Sequence, residues 1–367
     1  MNFSPRRLAL TLAAPVLAVL VAFVVTSLVL IAVGDPVALV WETLLSQPRP
    51  RTMVNIINSG ITYYIAALAV AVGFKMKLFN IGVDGQYRIA TFAAALVAGH
   101  GWLPGPLNIV LALLVAMLVG GLWAGIAGWL KVTRGVSEVI STIMLNAISG
   151  GLVAWGLRSW GQRAEGSNTR STQEIPASSQ LEGLPLVPDA ANRVYTLLVL
   201  SVVLGVLYWF IVNRTRFGFD VRATGESETA AVASGVKVPR MVLTAMVVSG
   251  ALAGLIGMPG FFGADHAYGM NFQSGVGFIG IGVALLGRNH PVGIAFAALL
   301  WSWLEKASDG LQLRADVSPA LVFIIQGVIL LAVVIAYEVV HRIEQRMEQR
   351  QVARQLDAGV TTEGASA

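Results

Sequence analysis

Two short segments hold polar side chains where the surrounding sequence is apolar. In the first, Phe79-Asn80-Ile81-Gly82-Val83-Asp84-Gly85-Gln86-Tyr87-Arg88, two glycines stand among an Asn, an Asp, a Gln and an Arg. In the second, Glu138, Thr142 and Asn146 are spaced four apart and so share one stripe of a helix. Asn58, with Asn55, Thr62 and Tyr63 near it, makes a weaker third set. The chemistry open to these residues is hydrogen bonding, either to a facing helix or to a polar solute on a translocation path. Broken backbone at membrane depth is tolerated only where protein or a water-filled cavity satisfies it. A cytoplasmic loop ahead of a helix starting near Ile89 fits the first segment equally well. Asn58, Asn80, Asp84, Gln86, Glu138, Thr142 and Asn146 are the candidates for lining a path, while Asn271 and Gln273 read as ordinary loop near the outer face.

Other chemistries lack their residues. The chain has no cysteine, which removes disulfides, thiolate metal sites and thiol nucleophiles. His100, His266, His290 and His341 stand far apart, so no metal site is expected. There is no GxxxxGK[ST] phosphate loop, no GxSxG and no HExxH. Gly275-Val276-Gly277-Phe278-Ile279-Gly280 matches GxGxxG, but it lies in an apolar run and reads as close helix packing, as do Gly121/Gly125 and Gly250/Gly254. An enzyme is therefore not expected.

The elements that must position the polar residues are membrane helices. Of 367 residues, 56% are hydrophobic and 12% charged, about half the roughly 25% of a soluble protein. The net charge of +5 matters through its placement, and nucleic acid is not an expected partner. Uncharged runs at 8–33, 54–73, 78–99, 106–130, 139–157, 194–212, 241–262, 275–287, 291–304 and 319–337 predict an all-α polytopic protein with about ten spans. The runs 275–287 and 291–304 are short and alternatively form one re-entrant hairpin. Sixteen Lys and Arg then fall in inner loops against eight in outer ones, which favours both termini inside. The expected organisation is a membrane domain over 1–340, with a long external loop at 158–193 and a cytoplasmic loop at 213–240. A cytoplasmic helix and tail follow over 341–367. Arg342, Arg346, Arg350 and Arg354 line one face of that helix, which is either simply solvated or set against anionic lipid.

Three motifs together resemble a known family. FNIGVDGQYRIATFAA (79–94), EVISTIMLN (138–146) and GIGVALLGRNHPVG (280–293) are similar to elements of the permease subunits of bacterial ATP-binding cassette (ABC) importers for nucleosides and simple sugars, relatives of the ribose and branched-chain amino acid permeases. Asp84 stands where that family usually has Glu. The resemblance covers about 54–335 and implies a multi-pass protein of the bacterial cytoplasmic membrane, translocating nucleosides or related small polar solutes by alternating access. It implies that ATP and Mg are bound by a partner ATPase, with two cassettes often fused in one chain, and that no cofactor is held here. A second permease subunit, identical or different, and an extracytoplasmic solute-binding lipoprotein complete the assembly it implies. By the same resemblance Glu226, Ala230, Ala231 and Gly235 match a coupling helix that docks on the ATPase; from the residues alone this stretch is a solvated helix with a glycine C-cap. Two inverted halves, 54–157 and 241–337, are the further expectation. The alternative is a stand-alone secondary transporter or channel, against which the absence of a close carboxylate pair within a span counts.

Overall fold

Apolar sequence of this kind satisfies its backbone by forming helices, and the chain is mostly helical. The computed structural model describes residues 20–163, 169–269, 272–315 and 320–336, with 339 and 342. Asn271, the first part of the expected first span, and the cytoplasmic helix from 343 onward lie outside the described residues. The chain divides into two compact units, one of Gln47–Lys306 and one of Met1–Ser46 with Ala307–Ala367. In the latter, α1 (Leu20–Val33) and α2 (Val37–Leu45) meet through Trp41, whose Nε1–H donates to Ser27 Oγ at 3.0 Å. A further apolar helix, Ala320–Ala336, belongs to the same unit.

The larger unit is built on α3 (Pro50–Phe74), whose residues from Ile65 to Ala71 are buried on every side. A helix apolar all round belongs in an interior. Against it pack α4 (Val83–His100), α7 (Leu198–Arg214), α10 (Val238–Gly254) and α12 (Val276–Leu286); α5 (Gly105–Arg134) lies on α10 and α4, and α6 (Glu138–Trp160) on α4 and α5. The stretch between α7 and α10 supplies α8 (Arg216–Glu226) and α9 (Glu228–Ala233). A short α11 (Met258–Gly260) and a π-turn, Phe261–Asp265, extend α10. Next come α12 (Val276–Leu286) and α13 (Pro291–Ala315). Each of the ten expected runs contains a described helix. Four of these helices, Pro50–Phe74, Gly105–Arg134, Glu138–Trp160 and Val238–Asp265, are long and apolar enough to cross a bilayer by themselves; α7 and α8, bent by 70° at Thr215, make a fifth if taken together.

The loop after α6 carries a two-stranded antiparallel hairpin, β1 (Gln162–Arg163) on β2 (Arg170–Ser171). Helix α5 seats on α10 through missing side chains. A Cβ on Gly120 would meet the Gly250 carbonyl oxygen at 2.3 Å, and one on Gly254 would meet that of Ala116 at 2.0 Å. Gly121 and Gly125 lie against Val247 on the same face, so the small-residue reading holds with Gly254 against Ala116 as its tightest point.

A repeat becomes visible once the helix starts are known. Phe79-Asn80-Ile81-Gly82-Val83 and Phe272-Gln273-Ser274-Gly275-Val276 share the pattern Phe-Asn/Gln-x-Gly-Val, and each ends on the first residue of a helix, α4 and α12. Their polar residues cross over. Asn80 Nδ2 donates to Ser249 Oγ on α10 at 2.9 Å, and Gln273 Nε2 donates to Tyr63 Oη on α3 at 3.4 Å. Thus the loop before the broken helix of each half is tied to the first long helix of the other half.

Candidate functional site

The first polar segment passes from non-helical chain at 79–82 into the first turns of α4, and it lies along the start of α6. Phe79 N–H donates to Glu138 Oε1 at 3.4 Å, and Asn146 Nδ2 donates to the Ile81 carbonyl at 2.9 Å. Asn146 Oδ1 also accepts from Gly85 N–H at 2.9 Å. Contacts therefore advance about three residues along one segment for every four along the other: Phe79 at Glu138, Gly82 at Thr142, Gly85 at Asn146. The glycines follow from this spacing. A Cβ on Gly82 would lie 2.9 Å from Thr142 Cβ, and one on Gly85 would lie 2.8 Å from Asn146 Cα. Within the stripe Glu138 and Asn146 bond to the 79–85 segment, whereas the Thr142 hydroxyl donates to the Glu138 carbonyl of its own helix at 2.7 Å. α4 starts at Val83, well before the alternative start near Ile89.

Asn80 and Gln86 form a reciprocal amide pair, with Asn80 Nδ2 to Gln86 Oε1 at 2.9 Å and Gln86 Nε2 to Asn80 Oδ1 at 2.8 Å. Asn80 Oδ1 accepts from Gly82 N–H as well, and Ser249 Oγ passes its proton to the Ala69 carbonyl. Asn80, Gln86 and Ser249 are all 1% exposed or less, and a network so fully paired fixes the loop in place. Ser249 was not singled out from sequence; its signal is a lone hydroxyl between Val248 and Gly250 in an apolar helix.

Asp84 lies in the first turn of α4, yet its Oδ1 accepts from Gly277 N–H, in the first turn of α12, at 3.2 Å. One carboxylate thereby sits at the positive ends of two helix dipoles. The helices approach so closely because residue 277 has no side chain: a Cβ there would fall 2.2 Å from the Asp84 nitrogen. Glu138 also has a specific partner, Lys131 Nζ at 2.5 Å across the α5–α6 turn.

Asn58 stands apart from this group. Its Nδ2 donates to the Arg193 carbonyl at 3.1 Å and its Oδ1 accepts from Tyr195 N–H at 2.9 Å, so it pins the end of the long loop between α6 and α7 to α3. Among the seven path candidates only Asn146 is more than marginally exposed.

The coupling candidates divide between two helices. Glu226 ends α8, Ser227 is extended, and Ala230 and Ala231 lie in α9. Ser227 Oγ caps α9 by accepting from Ala230 N–H at 3.3 Å, and Gly235, with φ of 85°, closes the far end as Val236 N–H reaches the Ala231 carbonyl at 3.0 Å. Ala231 faces inward at 1% exposure, whereas Ala230 and Val232 face solvent. At the base of this loop a Cβ on Gly225 would meet the Lys75 carbonyl oxygen at 2.1 Å, so α8 rests on the end of α3. Burial and then the Arg222 charge hold the Lys75 ammonium below its ordinary value. Among the described residues, no group of three His, Asp or Glu could hold a metal ion.

The profile of a family described as the permease component of the branched-chain amino acid transport system matches residues 52–334. The chain belongs to this family. The permease is 35% identical over 274 residues, covering 74% of it and 77% of the relative, to the guanosine ABC transporter permease protein of Bacillus subtilis strain 168. It is 30% identical over 344 residues, 90% of each chain, to a glucose ABC transporter permease protein of Haloferax volcanii. A nucleoside ABC transporter permease protein of Lactococcus lactis subsp. cremoris is 29% identical over 327 residues, 86% of this chain and 88% of its own. The permease is thus an integral membrane protein and a transport component.

Proposed function

We propose that this permease imports nucleosides or related small polar solutes across the bacterial cytoplasmic membrane by alternating access, driven by a partner ATPase. The observation that carries the reading is the family match over residues 52–334, with relatives named for guanosine, nucleoside and glucose transport. The partners are an ATPase with two cassettes, in one chain or two, a second permease subunit and an extracytoplasmic solute-binding lipoprotein.

Ten crossings with both termini inside agree with the placement of Lys and Arg. At 11 residues α12 is about 16 Å long, about half of the hydrocarbon layer, whereas α4 at 18 residues is about 27 Å long. In this reading 275–287 and 291–304 belong to two spans rather than to one hairpin. The starts of α4 and α12 meet at Asp84.

The path runs along the exposed face of α6, where Asn146 is accessible and Asn80, Asp84, Gln86, Glu138 and Thr142 form the wall behind it. Asn58 holds the outer loop that borders its mouth. α9 enters a groove of the ATPase with Ala230 leading, Glu226 at the preceding elbow and Gly235 at its exit. The membrane domain extends over 1–340, and 341–367 lies in the cytoplasm.

The test is uptake of radiolabelled guanosine, uridine and glucose by cells that lack their own nucleoside import and express this chain with its partner subunits. Accumulation of one class of solute above background is expected. No accumulation of any of them, with all subunits present in the membrane, contradicts the reading.

A further inference from the structure

Beyond the three rungs at Glu138, Thr142 and Asn146, the same spacing brings Arg88 to Gly150, and here the sizes reverse. The broken segment contributed glycines to the earlier contacts; now α6 contributes the glycine and α4 the long side chain. A Cβ on Gly150 would meet nothing but Arg88 Nη1, at 3.7 Å, and the neighbouring Gly151 has open space around it. Arg88 is neither sealed in nor fully exposed, and Gly151, Ile148 and Leu152 beside it on α6 are exposed.

A guanidinium at this depth is costly unless it is compensated. Asp84 lies near enough to feel its charge, and Tyr268 both feels that charge and shares a side-chain hydrogen bond with Arg88, which leaves the other guanidinium donors to be satisfied. The Asp84 carboxylate, however, is committed to the start of α12, and among the described residues Arg88 makes no ion pair. Its Nε has no hydrogen-bond partner among those residues either. Arginine offers five donors and no acceptor, so what completes this group must bring acceptors.

Resting on the transport reading, we propose that Arg88 is a solute-contact residue on the path, reached through the gap at Gly150, and that it selects solutes with two adjacent acceptors. Among nucleosides that arrangement is the O6/N7 edge of a 6-oxopurine, which an arginine fork matches; adenine presents an amino donor at the same place. Arg88 therefore favours guanosine and inosine over adenosine. The charge also repels cationic solutes at this point.

The experiment uses the complete transporter in proteoliposomes, with guanosine and adenosine as the probes. Arg88→Gln should lower the guanosine-to-adenosine uptake ratio about tenfold or more, because glutamine suits the adenine edge, and Arg88→Lys should keep part of the guanosine preference. Gly150→Leu fills the gap without altering Arg88 and should reduce guanosine uptake about tenfold while the complex still assembles. That variant decides the matter if Arg88→Gln loses all uptake. An unchanged ratio in Arg88→Gln together with unaltered guanosine uptake in Gly150→Leu overturns the inference and leaves the transport reading intact. Wild-type transport of sugars or pyrimidines without either purine overturns it as well. A wild-type complex that moves no solute instead refutes the transport reading on which it rests.

Discussion

Gly277 donates its backbone N–H to Asp84 Oδ1 at 3.2 Å, and these two residues occupy the same position, one after Phe-Asn/Gln-x-Gly-Val, in the two halves of the chain. The meeting of the two broken helices at one carboxylate explains why an acidic side chain is kept in an apolar setting. Asp84→Asn keeps an acceptor but removes the charge that both dipoles favour. It should destabilise the protein by about 1–2 kcal/mol, and Asp84→Ala by about 2–3 kcal/mol, read from thermal unfolding in detergent. Equal stability of Asp84→Ala and wild type would show that the two helix starts do not depend on this contact.

The contacts along α6 make a sharper comparison among glycines. Gly85→Ala places a methyl group 2.6 Å from both Asn146 Oδ1 and Ser149 Oγ, whereas Gly151→Ala meets nothing within 4 Å. The first should cost about 1–3 kcal/mol and the second should stay within about 0.5 kcal/mol of wild type. Asn146→Leu should resemble the first, since it strands the Ile81 carbonyl and the Gly85 N–H together.

Lys131 and Glu138 form a partly buried pair, with side chains 32% and 9% exposed. Lys131→Met leaves the carboxylate without its cation and is expected to cost about 1–3 kcal/mol; the double variant with Glu138→Gln should recover most of that loss. Additive losses in the double-mutant cycle would mean that the pair is not coupled.

At the elbow between α3 and α8, Lys75 is held below its ordinary 10.5 by burial and by Arg222. Between the depressed value and 10.5 the unfolded chain binds more protons at this site than the folded one, so folding stability contributed here rises with pH through that window. Below it, the penalty for the charged ammonium is fully present. Arg222→Gln should flatten the rise, as measured by unfolding midpoints from neutral to alkaline pH. The same slope in both proteins would contradict the assignment.

The adjacent alanines Ala230 and Ala231 of α9 should behave differently. Ala231 faces its own protein at 1% exposure and Ala230 faces out. Ala231→Leu should lower stability by about 1–3 kcal/mol through overpacking. Ala230→Trp should leave stability within about 0.5 kcal/mol of wild type while weakening co-purification with the ATPase. Undiminished assembly of Ala230→Trp would remove α9 from the docking surface.

Helices were legible in the sequence because apolar run length is a strong signal, and each of the ten runs holds one. The motif residues were legible too: Asn80, Gly82 and Gln86 do meet, and Asn146 reaches the same segment at Ile81 and Gly85, while Asp84 turns to Gly277 instead. Their partners were not. Ser249, Gly277 and Lys131 pair with residues that the chain brings near only after folding, and a lone serine or glycine in an apolar run carries no mark of its partner. Amphipathic periodicity also failed to separate Ala230 from Ala231, since the extended Ser227 resets the helical phase between Glu226 and α9. The repeat was faint because only five residues in each half express it, and their alignment requires the starts of α4 and α12.

The central claim is that this chain is a gate moved by a separate ATPase. Its most direct test is solute accumulation in proteoliposomes holding either the purified chain alone or the chain with its ATPase, partner permease and binding protein. Uphill guanosine or sugar uptake is expected only in the complete assembly and only with ATP inside the compartment that represents the cytoplasm. Concentrative uptake by the chain alone, driven by a proton or sodium gradient, would contradict the account.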